Sequence, residues 1–404
     1  MIGRRLSRGS GAPFLYLVAE PGYPNYGDEL IAAEWLKFYA RTRPTVPVVV
    51  DGQAAGRAAA YLWRFHPRVT VVDTVARLAE RNMITRDSDV GPQLEYLVRD
   101  LTDSAYNPQY SLGIDLLNHH VQGVHVLGGG YLTGRFPRNL GRAAIVPWAQ
   151  GKGLPAVLTG QGLAPLDGNQ LEFARAVLGG ARLGVRDAAS AALLPGAHLL
   201  PDDVFANGLA GLYRTPPPAP KFWVNIQSAV APGEPAGETG EPAGETAGQA
   251  EAAQAARYDY VVEVLRRWGA TPDQPVGVVE CNPDFDAGIL AHLQAAGWRT
   301  EFYPVLDLLL HGFPAAPGQV WLTTRYHTHL LASFAGASGA YLAVDGAYYA
   351  PKHEAVVRLG SGWRRGAWGE DPPDPGPGVA DGAAKARRYA AQVTVFADAG
   401  LRRG

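Results

Sequence analysis

Short apolar runs that end in glycine, aspartate or arginine recur along this chain, each separated from the next by a stretch long enough for a helix. FLYLVAE (14–20), VPVVVD (46–51), VTVVD (69–73), VHVLGGG (124–130), PAVLTGQG (155–162) and ARLGVRD (181–187) form a first set. FWVNIQSAV (222–230), VGVVE (276–280), TEFYP (300–304), QVWLTT (319–324) and GAYLAVDG (339–346) form a second. Near-continuous apolar runs suit strands buried on both faces, as in a parallel sheet covered by helices. DELIAAEWLKFYAR (28–41) and QLEFARAVLGG (170–180) carry apolar residues at helical spacing between such runs. The alternation predicts an α/β chain of two domains, each on a parallel sheet, with a cleft at the carboxyl ends of the strands.

The proline cluster YRTPPPAPK (213–221) continues neither a strand nor a helix and reads as a linker. It divides a first domain, 1–212, from a second, 222–368. Within the second, GEPAGET occurs twice in succession over 233–246, with too little apolar content to fold. Residues 231–255 are therefore expected to be a disordered insertion. GEDPPDPGPG (369–378) is a spacer before a last helix, and 369–404 form a tail. That helix has apolar residues at 389, 393, 395 and 396, with Arg387, Arg388, Arg402 and Arg403 about them. Two uses fit this pattern: packing across the domains, or a peripheral membrane contact.

A formal net charge of −2 over 404 residues gives no basis for a nucleic-acid partner, so any anion site must be local. The lone Cys281 excludes an internal disulfide framework and suits a reducing cytoplasm. FLYLVA near the start is too short for the apolar core of a signal peptide and is followed by acid and turn residues. No apolar run reaches the roughly 20 residues that span a bilayer. A cytoplasmic protein is expected.

TTRYHTHLLASFAG (323–336) places Arg325 and His327 where a strand ends and a helix begins. A cation there is unfavourable beside the positive end of the helix dipole, unless an anion joins it. Arg325 could chelate a carboxylate or phosphate through two parallel bonds, and His327 could pass a proton near neutral pH. An Arg325 paired with a nearby carboxylate and a His327 capping the turn would account for both equally. His327, His329 and His353 do not make a metal site, because i, i+2 spacing splits two ligands across a helix and no Cys or carboxylate cluster completes a set. In GYPNYGDELIAAEW (22–35), Asn25 and Asp28 suit either a capped helix start or a substrate loop. The G-x-G-x-x-G and G-x-x-x-x-G-K-[ST] spacings of dinucleotide and phosphate loops are absent. LGGGYLTG (127–134), TGQGLAPL (159–166) and GVRDAAS (184–190) each end a strand, the last with Arg186 and Asp187.

Taken in order, NYGDEL (25–30), GGGYL (128–132), GQGLAPL (160–166), VRDAAS (185–190), TTRYHTHLLASFAG, Asp345 and YAPKHEAVVRLG (349–360) resemble the motifs of the polysaccharide pyruvyl transferase family. The likeness spans about 20–360 and departs from the pattern at Tyr326, Thr324 and Val344, where the family has Leu, Ser and Tyr. It implies two Rossmann-like domains in a GT-B-like arrangement, and transfer of pyruvate from phosphoenolpyruvate, as co-substrate with no other cofactor and no metal, onto two sugar hydroxyls. Carried over by position, Arg186, Arg325 and His327 match residues that line the donor site; Tyr326, between the last two, is expected to bind the donor with them. His327 would act as acid, and Asp28, or Asp202 or Asp203, could serve as base toward the sugar. Asn25, Gly27, Gly129, Gly130 and Gln161 would face the sugar acceptor. Two other readings share the fold: a glycosyltransferase with a nucleotide-sugar donor, and a catalytically silent sugar-binding homologue.

Overall fold

A computed structural model describes residues 12–228, 247–344 and 348–402. The first set of apolar runs becomes β1 Phe14–Val18, β2 Val48–Asp51, β3 Val69–Val72, β4 Val121–Val126, β5 Ala156–Gln161 and β6 Arg182–Val185. A two-residue edge strand, β7 His198–Leu199, is exposed and too short to leave an apolar run. The second set becomes β8 Phe222–Asn225, β9 Val276–Val279, β10 Thr300–Tyr303, β11 Val320–Thr323 and β12 Ser338–Leu342. The sequence pattern misses β13 Arg364–Gly366, whose two arginines point to solvent at the sheet edge.

All the strand pairings are parallel. The orders are β3-β2-β1-β4-β5-β6-β7 and β10-β9-β8-β11-β12-β13. In each sheet the chain winds outward from a central strand, returns, and winds the other way. The order therefore reverses between β1 and β4, and again between β8 and β11. Loops leaving the carboxyl ends of such a pair diverge and open a crevice, where ligands of this architecture bind.

The helices that bear on the site are α1 Tyr26–Thr42, α2 Ala188–Leu193, α3 Ala247–Arg267, α4 Tyr326–Phe334, α5 Ala350–Arg358 and α6 Gly382–Gly400. The disorder expected over 231–255 does not hold for 247–255, which are the first turns of α3. Residues 231–246 and Asp345 lie outside the described residues.

One buried apolar cluster joins the two halves: Leu15, Trp35 and Tyr39 of the first share it with Trp321, Leu330 and Phe334 of the second. The Tyr26 and Phe313 rings stack across it at 5.7 Å, and Phe205 meets Phe334 edge-on at 4.9 Å. Shared apolar burial of this kind holds the halves in one relative position. Helix α6 completes it. Val393, Phe396 and Ala397 are buried, and Tyr389 packs on Phe205 and Phe334. Arg43 of the first half pairs with Asp398 at 2.8 Å. The apolar residues of α6 thus cover the core, with Val395 left exposed, and the membrane-contact expectation loses its apolar face. Among the described residues no helix is long and apolar enough to cross a membrane.

Candidate active site

The β1–β4 crevice is walled by the NYGD turn and the glycine loop. Asn25 stands just before α1 but does not cap it; its Nδ2 donates to Asp28 Oδ2 at 2.8 Å and fixes that carboxyl. Tyr26 N donates to Cys281 O of the second half at 2.7 Å. Next to it, Gly27 lies so close to the His327 ring that a Cβ there would overlap the imidazole. Glycine at 27 is what lets the two halves meet at His327.

After β4 come Gly128, Gly129 and Gly130. Gly128 N donates to Asp203 Oδ2 at 2.7 Å, and Gly129 holds a φ of +150°, open to glycine. A Cβ on Gly129 would stand 3.1 Å from Asp28 Oδ1, and one on Gly130 would stand 2.8 Å from Lys352 Nζ and 2.9 Å from the Tyr348 hydroxyl. The missing side chains leave a hollow bounded by Asp28, Lys352 and Tyr348.

Strand β6 delivers Arg186 to the same place. Its Nη1 donates to Asp202 Oδ2 at 2.7 Å, and its guanidinium lies 4.6 Å from the centre of the Tyr326 ring. The opposite edge faces glycine: a Cβ on Gly162 would come within 3.2 Å of both Nε and Nη2. Nε is buried and has no hydrogen-bond partner among the described residues. A buried donor left unsatisfied is costly, so this edge is shaped for an acceptor that arrives with a ligand. Ser190, in the first turns of α2, keeps the neighbouring loop in place, its Oγ accepting from Leu163 N at 2.7 Å.

From the second half come Arg325, His327 and Lys352. Arg325 does not stand free at the start of α4. Its Nε and Nη2 both donate to Asp286 Oδ1, at 3.0 and 2.5 Å. This is the carboxylate pairing that the sequence left open. His327 directs Nε2 toward Asp202 Oδ1 at 3.5 Å, too far for a good hydrogen bond. Lys352, in the first turn of α5, is 6% exposed, sits 3.1 Å above the Tyr348 ring centre, and has no ion-pair partner among the described residues.

These groups perturb one another. Burial, then Glu20, pushes Asp28 up to about 7, against partial relief from Arg186 and Lys352. Lys352 is driven well below an ordinary lysine by burial and then by Arg186. Burial also lowers His327, with Asp202 pulling the other way. Burial would raise Asp202 too, but His327 and Arg186 outweigh it and hold the carboxylate ionised. A carboxyl held near 7, an imidazole pulled both ways by burial and Asp202, and a desolvated amine around one hollow are the features of a site for acid–base work on an anion.

Residues 25–268 match the profile of the polysaccharide pyruvyl transferase family. The chain belongs to that family. No curated protein gives a match. Among solved structures, this pyruvyl transferase family member resembles the UDP-GlcNAc 2-epimerase of Neisseria meningitidis bound to UDP-GlcNAc, at 10% identity and a TM-score of 0.47, over 96% of this chain and 93% of that one. It also resembles a glycosyltransferase of Rickettsia africae, at 9% identity and a TM-score of 0.43, over 97% and 95% of the two chains.

The profile match ends before β11, so Arg325, His327 and Lys352 of this pyruvyl transferase family member stand on the geometry. Of the residues expected from sequence, Asn25, Gly27, Asp28, Gly129, Gly130, Arg186, Tyr326 and His327 come together. Gln161 does not reach the hollow in the expected way: it is fully buried, and its Nε2 donates to the carbonyls of Val126, Leu127 and Thr159. Asp203 is likewise enclosed under the glycine loop, and Asp202 is taken by Arg186. Sequence reasoning misses Lys352 as a site residue, because a lysine in a helix reads as solvent-facing.

Proposed function

We propose that this chain transfers pyruvate from phosphoenolpyruvate onto two hydroxyls of a sugar in a cell-surface polysaccharide or its precursor, forming a pyruvate ketal in the cytoplasm. The observation that supports this most is the unpartnered Arg186 Nε beside Lys352 Nζ, both at one glycine-lined hollow. Phosphoenolpyruvate carries a phosphate and a carboxylate on the same carbon, C2, and asks for two cationic groups close together. The Nε–Nη2 edge of Arg186 would take one group through parallel bonds, and Lys352 the other. Holding both fixes C2 against the acceptor hydroxyl.

Binding this anion beside His327 favours the imidazolium, and Asp202 behind Nε2 does the same. His327 would then give its proton to C3, and C2 becomes electron-poor. The first sugar hydroxyl adds to C2 as its proton passes to Asp28, whose pKa of about 7 leaves it ready to accept. The C2–O bond to phosphate breaks, the second hydroxyl closes the ketal, and its proton leaves with hydrogen phosphate. Atoms and charge balance with phosphoenolpyruvate as the only co-substrate.

Thermal unfolding with phosphoenolpyruvate, inorganic phosphate, 2-phosphoglycerate and UDP tests the donor without knowing the acceptor. Phosphoenolpyruvate at a hundred times its Kd should stabilise by about 2.7 kcal/mol. The shift should disappear in Arg186→Ala and Lys352→Met. Stabilisation by UDP alone would replace this reading with a nucleotide-sugar donor, and no response to any ligand would point to a silent homologue.

A further inference from the structure

Next to the site in sequence and in the fold, four side chains form a buried cluster of stacked rings, with His329 and His353 also 5.3 Å apart. Trp363 stacks on His329 at 4.8 Å, His329 on Tyr341 at 4.9 Å, and Tyr341 on His353 at 4.7 Å. Both imidazoles are fully buried. His353 Nε2 lies 3.2 Å from Thr324 O, and the two Nδ1 atoms face each other at 3.1 Å. His329 Nε2 lies 2.9 Å from Ser361 Oγ, which accepts from Trp363 N at 3.3 Å.

These contacts admit one arrangement of protons for neutral rings. A carbonyl only accepts, so His353 carries its proton on Nε2 and donates it to Thr324 O. Its Nδ1 is then an acceptor, so His329 must carry its proton on Nδ1. That leaves His329 Nε2 to accept from the Ser361 hydroxyl. Burial lowers both rings; at His353 the bond to Thr324 O works against it, and Lys352 and Arg365 work with it, so neutral forms are favoured.

The last two members of this chain, His353 and Thr324, lie next to the chemistry. Thr324 immediately precedes Arg325 on the turn into α4, and His353 immediately follows Lys352 in α5. We propose that His329 and His353 are positioning residues: a one-way chain from Ser361 through His329 and His353 to Thr324 that sets α5, with Lys352, against the turn that carries Arg325 and His327. Its kinetic consequence rests on the donor reading above; the proton arrangement does not.

Nitrogen-15 NMR of the histidine side chains at pH 7 reads the arrangement. His329 should be protonated at Nδ1 alone and His353 at Nε2 alone. The reverse tautomer on either ring, or a charged ring, would overturn the chain. Its positioning role is read in variants. His353→Leu removes the donor to Thr324 O, and His353→Gln restores an N–H near the same place. With phosphoenolpyruvate and a working acceptor, the leucine variant should raise KM for the donor about tenfold with kcat little changed, and glutamine should recover most of it. Equal behaviour of the two would overturn the positioning role. Should the wild type fail to use phosphoenolpyruvate, the donor reading is wrong, and the role is read from His327: its resonances should move in His353→Leu and return in His353→Gln, and no movement overturns it. Ser361→Ala removes only the first donor and leaves both rings in place. It is the variant to read if His353→Leu does not fold, with the same shift of His327 expected and its absence overturning the role.

Discussion

Arg186 and Arg325 come from different halves of the molecule, and each pairs with a buried aspartate, but the aspartates take different edges. Asp286 takes the Nε–Nη2 edge of Arg325. Asp286 is itself held by Cys281 N, Asn282 N and Asn225 Nδ2 at 2.9–3.1 Å, so the pair is fixed from both sides. Asp202 takes only Nη1 of Arg186 and leaves the Nε–Nη2 edge against glycines, with Nε unsatisfied. Both pairs would look alike in a count of salt bridges. One fixes a cation in place, while the other holds it by one nitrogen and presents its remaining fork to the hollow.

Lysine substitution separates the two most sharply. Lysine at 186 keeps a charge for Asp202 but loses the parallel N–H edge, so kcat/KM for the donor should fall about a hundredfold, with the fold retained. Lysine at 325 keeps one bond to Asp286 and should cost activity about tenfold or less, its larger effect being on stability, because a buried pair is weakened. Steady-state kinetics beside thermal melts decides this. Equal kinetic losses at the two positions would break the distinction between a receiving arginine and a fixed one.

A further difference lies in how the surroundings of the two arginines respond to pH. The hollow near Arg186 holds Asp28 at about 7, against 3.8 for an ordinary aspartate. The folded protein therefore keeps a proton that the unfolded chain gives up between those values, and folding stability falls as pH rises through that window. Asparagine at 28 cannot ionise. Asp28→Asn should melt about 2–4 °C above wild type at pH 8 and level with it near pH 4, while losing turnover. No pH-dependent gain would mean that Asp28 is not held protonated, and the electrostatic account of the hollow would need revision.

Much of this is legible in the sequence, and what is not has a common cause. The strands were legible because runs such as the fully buried valines 48–50 of β2 stay apolar through both faces. β7 and β13 were not, since edge strands need not bury both faces. Arg186, Arg325 and His327 were legible as charged residues at strand ends. Asn25 has the residue type of a helix cap, and only the fold turns its amide onto Asp28 instead. Nothing local marks Asp286 as the partner of Arg325, 39 residues away, and nothing local brings Gly130 over Lys352. Residue type and position on an element were visible; which side chains become partners across the halves was not.

The smallest expected effect concerns what holds Arg186 in its receiving posture. Tyr326 stands where the family pattern has leucine; it is 6% exposed, and its ring lies under the Arg186 guanidinium and edge-on to His327 at 4.8 Å. Leucine would keep most of the apolar volume but not the negative face of the ring that attracts a cation, a contribution of about 0.5–2 kcal/mol. Tyr326→Leu should therefore weaken phosphoenolpyruvate binding about threefold to tenfold by calorimetry, and Tyr326→Phe should not, because phenylalanine keeps the ring face. If phenylalanine weakens binding as much as leucine does, the hydroxyl is the operative group. It would then be steering Asp202, which Arg186 and His327 share, and the posture of Arg186 would be set through the aspartate rather than through the ring.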